Sequence, residues 1–132
     1  MRVLKNIVVL LFLLSINSAF AETQGVDFAN LKDGDIVSSP IKVKFALTGM
    51  SLAPAGQLSD NTGHHHLLIN AEGVASGQTV PADERHLHFG KAQTETEVTL
   101  PSGNFQLTLQ FANGLHQSYG EVMRKSINIT VR

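Results

Sequence analysis

Short segments in which apolar and polar residues alternate recur along this chain, and turn-rich stretches separate them. The clearest covers residues 104–111, where every second residue is Phe or Leu, and residues 41–47 and 127–131 follow the same period of two. Such alternation predicts β-strands with one buried face. About seven strands of this kind in roughly a hundred residues predict an immunoglobulin-like antiparallel β-sandwich, with an open or partial barrel as the alternative.

The N-terminal sequence predicts export. Arg2 and Lys5 precede an apolar run over residues 7–14, and Ala19-Phe20-Ala21 matches the small-residue cleavage pattern of a secretory signal. The apolar run is shorter than the roughly 20 residues that a membrane-spanning helix needs. We therefore predict a signal peptide at residues 1–21 and a single β-sandwich domain at residues 22–132, with no stable membrane insertion after cleavage.

Cysteine content and net charge indicate the cellular compartment and the classes of partner. The chain has no cysteine, and small exported domains without disulfides are more typical of the bacterial periplasm than of eukaryotic secretion. Removal of Arg2 and Lys5 with the signal leaves 8 basic against 11 acidic residues, a net charge of −3 with neutral histidines. This charge argues against nucleic acid as a partner. The sequence specifies no protein partner.

Five of the six histidines lie in two short segments, Gly-His-His-His-Leu-Leu-Ile and Arg-His-Leu-His-Phe-Gly, each typical of a strand. Side chains two positions apart on a strand point to the same side, so His64 pairs with His66 and His86 pairs with His88. The Cα atoms of each pair are about 6 to 7 Å apart, a distance from which two imidazoles can converge on one ion. We predict that these four histidines form a metal site.

Two further histidines have alternative interpretations. His65 alternates with apolar residues of its own segment, so it either faces the core or adds a ligand. His116 lies in a loop after Gly114, where it is either solvated or closes the metal site. Asp83 and Glu84 precede the second histidine segment, and we predict that they orient a ligand ring through its second nitrogen.

The residue types favour particular metals. Imidazoles without thiolates, and without the many carboxylates that calcium prefers, favour zinc or copper. We therefore predict a non-enzymatic metal carrier or buffer. One alternative is a structural or interaction domain whose histidines form a polar network. The other is a zinc-dependent hydrolase with Glu84 as its base, although the sequence has no nucleophile elbow or phosphate-binding glycine loop.

Longer motifs around the histidines resemble a bacterial family. Residues 61–69 (Asn-Thr-Gly-His-His-His-Leu-Leu-Ile), residues 81–91 (Pro-Ala-Asp-Glu-Arg-His-Leu-His-Phe-Gly-Lys) and residues 93–96 (Gln-Thr-Glu-Thr) are similar to the family called domain of unknown function forty-three ninety-nine. The resemblance extends from about Asp33 to Val131. It implies a small exported domain and no established reaction.

Overall fold

A computed structural model of the protein describes Ser18 and residues 23–132. Apart from Ser18, the predicted signal peptide at residues 1–21 lies outside the described residues. In the part of the chain that is described, no helix has the length and apolar character needed to cross a membrane.

Over the described residues the chain forms nine β-strands and one short 3-10 helix. In chain order these are β1 (Gly25–Phe28), β2 (Asp35–Val37), β3 (Ile41–Thr48), β4 (Ser51–Leu52), β5 (Thr62–Ile69), β6 (His86–His88), β7 (Glu95–Val98), β8 (Gly103–Ala112), the 3-10 helix (Glu121–Met123) and β9 (Arg124–Val131). The predicted all-β class is confirmed. The number of strands is higher than the seven or so predicted. Strands β2 and β4 are only 3 and 2 residues long and therefore too short to show an alternating pattern.

The strands form two sheets that pack as a sandwich. One sheet has the order β1-β3-β7, and the other has the order β2-β9-β8-β5-β4, with β6 also pairing with β5. All pairs are antiparallel except β2 with β9 and β4 with β5, which are parallel. Apolar side chains from both sheets share one core, which includes Val43, Phe45, Leu67, Leu107, Leu109, Phe111, Ile127 and Ile129.

Strand β5 is buried on both of its faces. Leu67 and Ile69 point into the core between the sheets. Leu68 points to the opposite face, where it packs with Val80 and Ala112 in a second, smaller apolar cluster. Burial of both faces explains why this strand is apolar without alternation at its end.

A polar network holds the chain over the outer face of the larger sheet. Gln110 is fully buried there, and its Oε1 accepts hydrogen bonds from the backbone N of Val74 at 3.1 Å and from Nε of Arg124 at 2.8 Å. Its Nε2 donates to the carbonyl of Gly120 at 3.1 Å, and Oγ of Ser118 donates to the carbonyl of Val74 at 2.7 Å. Because its donors and acceptors are paired, this network can fix the loops that surround the outer face.

Candidate metal centre

The three consecutive histidines of strand β5 face two different environments. All three are buried, with at most 1% of each residue exposed. His65 lies in the core, where its ring centroid is 4.9 Å from that of Phe45 and 5.1 Å from that of Phe111. Of the two interpretations of His65, the structure has the core-facing one. His64 and His66 lie on the outer face of the larger sheet.

Four histidines converge on this outer face. His64 and His66 of β5 meet His88 of β6 and His116 of the loop after β8, and one ring nitrogen from each lies within 4.8 Å of the others. The ring centroids of His64 and His66 are 4.8 Å apart, and those of His88 and His116 are 4.7 Å apart. We call these four residues the histidine cluster.

The pairing of β6 with β5 decides which histidine of β6 joins the cluster. His88 lies opposite His66, whereas His86 lies opposite Leu68. One step of two residues along a strand moves a side chain by about 6.5 Å, so His86 stands beside the apolar end of β5. Its Nδ1 is 2.7 Å from Oδ1 of Asp83.

The sequence predicts that the carboxylates of Asp83 and Glu84 orient a ligand ring. In the described chain, neither forms a hydrogen bond with a ring of the histidine cluster. Asp83 does contact a histidine ring, but the ring is that of His86, which lies outside the histidine cluster. Glu84 is exposed. Nδ1 of His64 and Nδ1 of His66 are buried and have no hydrogen-bond partner among the described residues. Among the described residues, no carboxylate therefore contacts Nδ1 of either ring.

His116 reaches the cluster from a strained turn. Its φ of 62° is in the left-handed region, which residues other than glycine rarely adopt. Its backbone N donates to the carbonyl of Asn113 at 2.9 Å, and its carbonyl accepts from the N of Val80 at 2.8 Å. From this turn the imidazole extends toward β5, and its Nδ1 is 3.1 Å from Nε2 of His64.

His64 lies at the centre of the cluster. Its Nε2 is 3.1 Å from Nδ1 of His116 and also 3.1 Å from Nε2 of His88. Donor atoms of a tetrahedral zinc site with bonds of 2.0 to 2.1 Å are about 3.3 Å apart. Two nitrogen pairs are therefore already close to the spacing of a metal site. A pair at the 4.8 Å limit would contract by roughly 1.5 Å on binding an ion.

Burial favours the neutral imidazoles that metal ions bind. Loss of solvation, with added repulsion from the neighbouring histidines, lowers the pKa of His64 to about 4 and that of His66 to about 3. The same two causes lower the pKa of His88. Each of these rings then keeps a nitrogen lone pair at neutral pH, as coordination requires. His88 is also exposed, so the cluster is open to solvent on that side.

Residues 43–132 match a family model described as Domain of unknown function (DUF4399). The chain belongs to the DUF4399 family. This match confirms the family expected from the histidine motifs, and it contains all six histidines of the DUF4399 chain. Neither a curated protein nor a solved structure matches the chain.

The role of His116 could not be derived from the sequence of this DUF4399 domain. The Asn113-Gly114 pair after β8 predicts a reversal of the chain, which the structure contains. The pattern gives no sign that this turn extends over β5, because the contact depends on pairing between strands that are distant in the chain. His116 is therefore a member of the histidine cluster that sequence reasoning left open.

Proposed function

We propose that this domain binds zinc or copper through the histidine cluster and acts as a metal carrier or buffer. The observation that carries the proposal is the convergence of four ring nitrogens within 4.8 Å, from His64, His66, His88 and His116. An all-nitrogen set of neutral imidazoles suits either ion. The cluster is buried on the β5 side and open at His88, so an ion has a route from solvent.

Hydrogen-bond geometry favours a metal site over a polar network. A neutral imidazole nitrogen offers either one N–H or one lone pair. Nε2 of His64 has two ring nitrogens at 3.1 Å, so it can form a hydrogen bond with one of them and not with both. A cation between the rings would instead accept a lone pair from each nitrogen.

A carrier fits the surroundings of the cluster better than a hydrolase. Metal hydrolases need a base near the metal-bound water. Glu84, the base expected for that alternative, is exposed and outside the cluster, and Asp83 is bonded to His86. These positions support a function in which the ion is held and released without a reaction.

We also propose that the sandwich is immunoglobulin-like and that the domain functions in the periplasm after export. The two-sheet core supports the fold. The signal-like pattern at residues 1–21 and the lack of cysteine support the compartment. In this compartment the proposed partner is the metal ion itself.

The two histidines of β6 provide a matched test. We expect the untagged, metal-free protein to bind one zinc or copper ion, and we expect His88→Ala to weaken binding by about 100-fold or more, since four ligands share an apparent 10 to 16 kcal/mol in structural zinc sites. His86→Ala, which changes the same strand outside the cluster, should bind as the wild type does. Isothermal titration calorimetry with each ion measures both affinities.

Two outcomes of this titration would refute the proposal. One is a wild-type protein that binds neither ion more tightly than an isolated surface histidine does. The other is equal weakening by His88→Ala and His86→Ala, which would mean that the loss of binding is not specific to the histidine cluster. In either case the polar network becomes the better account of the histidines.

Gly90 provides a second test, because it lies against the ring of His88. A Cβ at position 90 would stand 2.3 Å from Cε1 and 2.7 Å from Nε2 of that ring. We expect Gly90→Ala to displace the ring and weaken binding by about 10- to 100-fold, the range seen when groups that orient a ligand are changed. Gly25→Ala is the matched control, because its Cβ would meet no atom within 4 Å. Equal affinities for the two variants, measured by the same titration, would contradict this role of Gly90.

A further inference from the structure

The side chain of Asn113 binds the turn that carries His116. Its Oδ1 accepts hydrogen bonds from the backbone N of Leu115 at 2.9 Å and from the backbone N of Gln117 at 3.0 Å. Its Nδ2 donates to Oε1 of Gln117 at 3.0 Å. One amide side chain thus connects the residues immediately before and after His116.

Backbone contacts hold this turn at its ends and at His116, whose N and carbonyl are bonded to Asn113 and Val80, and the side chain of Asn113 adds bonds on both sides of His116. The N of Asn113 donates to the carbonyl of Gln117 at 2.9 Å, and the N of Gly56 donates to the carbonyl of Gly114 at 2.9 Å. His116 lies between Gly114 and Gln117, and its φ is 62°. A non-glycine residue in this region is strained, and its conformation persists only where the surroundings enforce it. The two backbone amides that donate hydrogen bonds to Oδ1 flank His116, so they reinforce the conformation that its own backbone bonds also hold.

We propose that Asn113 is a positioning residue that presents Nδ1 of His116 to the metal ion. This inference rests on the proposed metal binding and adds to it a residue whose side chain, in the described part of the chain, forms no hydrogen bond with a ring of the histidine cluster. The other ligands need no such device: His64 and His66 are buried in β5, and His88 is held in a paired strand. His116 alone in the cluster comes from a loop, where its ring would otherwise sample many orientations at a cost in affinity.

Substitutions at position 113 separate the hydrogen bonds of Oδ1 from that of Nδ2. Asn113→Ala removes all three and should weaken metal affinity by about 10- to 100-fold, as is usual for residues that orient a ligand. Asn113→Asp keeps an oxygen for both backbone amides and should restore most of the lost affinity. Gln117→Ala removes only the bond from Nδ2 and should leave affinity unchanged. If Asn113→Ala fails to fold, Asn113→Ser is the alternative variant. Its hydroxyl can accept a hydrogen bond from one backbone amide, so it should give an intermediate loss of metal affinity.

Coupling to His116 distinguishes positioning from a general loss of stability. We would titrate protein purified from expression of the full chain with zinc and copper salts, for Asn113→Ala, His116→Ala and the double variant. If Asn113 acts through His116, the double variant should bind as His116→Ala does, because the two effects are not additive. Urea denaturation without metal, run alongside, reports any change in stability separately.

The outcomes keep this inference distinct from the proposed function. If the wild type binds metal and Asn113→Ala binds equally well, or if the effects of Asn113→Ala and His116→Ala add, the positioning role is wrong while metal binding stands. The same holds if His116→Ala has no effect, since the ion would then use the other three ligands. If the wild type binds neither ion, the proposed function fails and this inference fails with it.

Discussion

Zinc or copper should raise the free energy of unfolding of this domain by about 4 kcal/mol when the free metal concentration is a thousand times the dissociation constant. The reason is that the ligands come from β5, β6 and the loop after β8, which meet only in the folded chain. An ion that binds the folded state and not the unfolded state stabilises the former by mass action. Urea denaturation at several metal concentrations, followed by far-UV circular dichroism because the chain has no tryptophan, measures the effect.

Adjacent residues of β5 supply the control for this prediction. His64→Leu removes the central member of the cluster and should abolish the stabilisation by metal. His65→Leu changes the next residue, whose ring lies in the core on the other face of the strand, and should keep it. If metal stabilises both variants equally, the ion binds somewhere other than the histidine cluster.

Acid should destabilise the metal-free protein strongly below pH 6.5. Burial lowers the pKa of His64 and His65 to about 4 and that of His66 to about 3 in the folded state. In the unfolded chain an ordinary histidine has a pKa near 6.5, so between these values the unfolded state binds more protons. Stability therefore rises with pH in this window and is lost as the pH falls through 6.5 toward 4.

The size of the acid effect is large relative to ordinary stabilities. For His65 alone, the difference between folded and unfolded pKa corresponds to a loss of about 2 kcal/mol between pH 7 and pH 5. His64 and His66 act in the same direction, and small domains have only about 5 to 15 kcal/mol in total. Urea denaturation at pH 7, 6 and 5 in the presence of a chelator gives the slope.

His65→Leu tests this explanation, because it removes one buried titrating group without touching the cluster. The variant should lose less stability than the wild type on going from pH 7 to pH 5. At pH 7 it should be at least as stable, since Nδ1 of His65 is a buried polar atom without a hydrogen-bond partner in the described chain. Identical pH dependence in the two proteins would show that the acid effect comes from other groups.

Much of the architecture follows from local patterns. The alternation at 104–111 correctly placed Leu107, Leu109 and Phe111 in the core, because a period of two directs every second side chain to one face. Strands β2 and β4 could not be found in this way. Each is held by a parallel partner that is distant in the chain or across a loop, β9 for the first and β5 for the second. Such pairing is a tertiary effect that local sequence does not encode.

For the histidine cluster, strand geometry predicts only which side chains of one strand share a face. The spacing of His64 and His66 indicated that they share a face, and the structure has them there. The same spacing groups His86 with His88, but the period of a strand does not specify which of them lies opposite a histidine of β5. Cross-strand pairing decides this, and it aligns His88 with His66. The position of His116 depends on hydrogen bonds within a loop. The periodic pattern of apolar and polar residues does not predict such bonds.

Strand β5 separates the main core from the histidine cluster by the thickness of a single sheet, with His65 on one side and His64 and His66 on the other. Inserting or deleting one residue in this strand would exchange its two faces. Two imidazoles would then enter the core, and Leu67 would be turned outward. Single substitutions here exchange one side chain, whereas a change in length would disrupt the core and the cluster together. An insertion or deletion within Thr62–Ile69 should therefore do more damage than the replacement of any one of its histidine side chains.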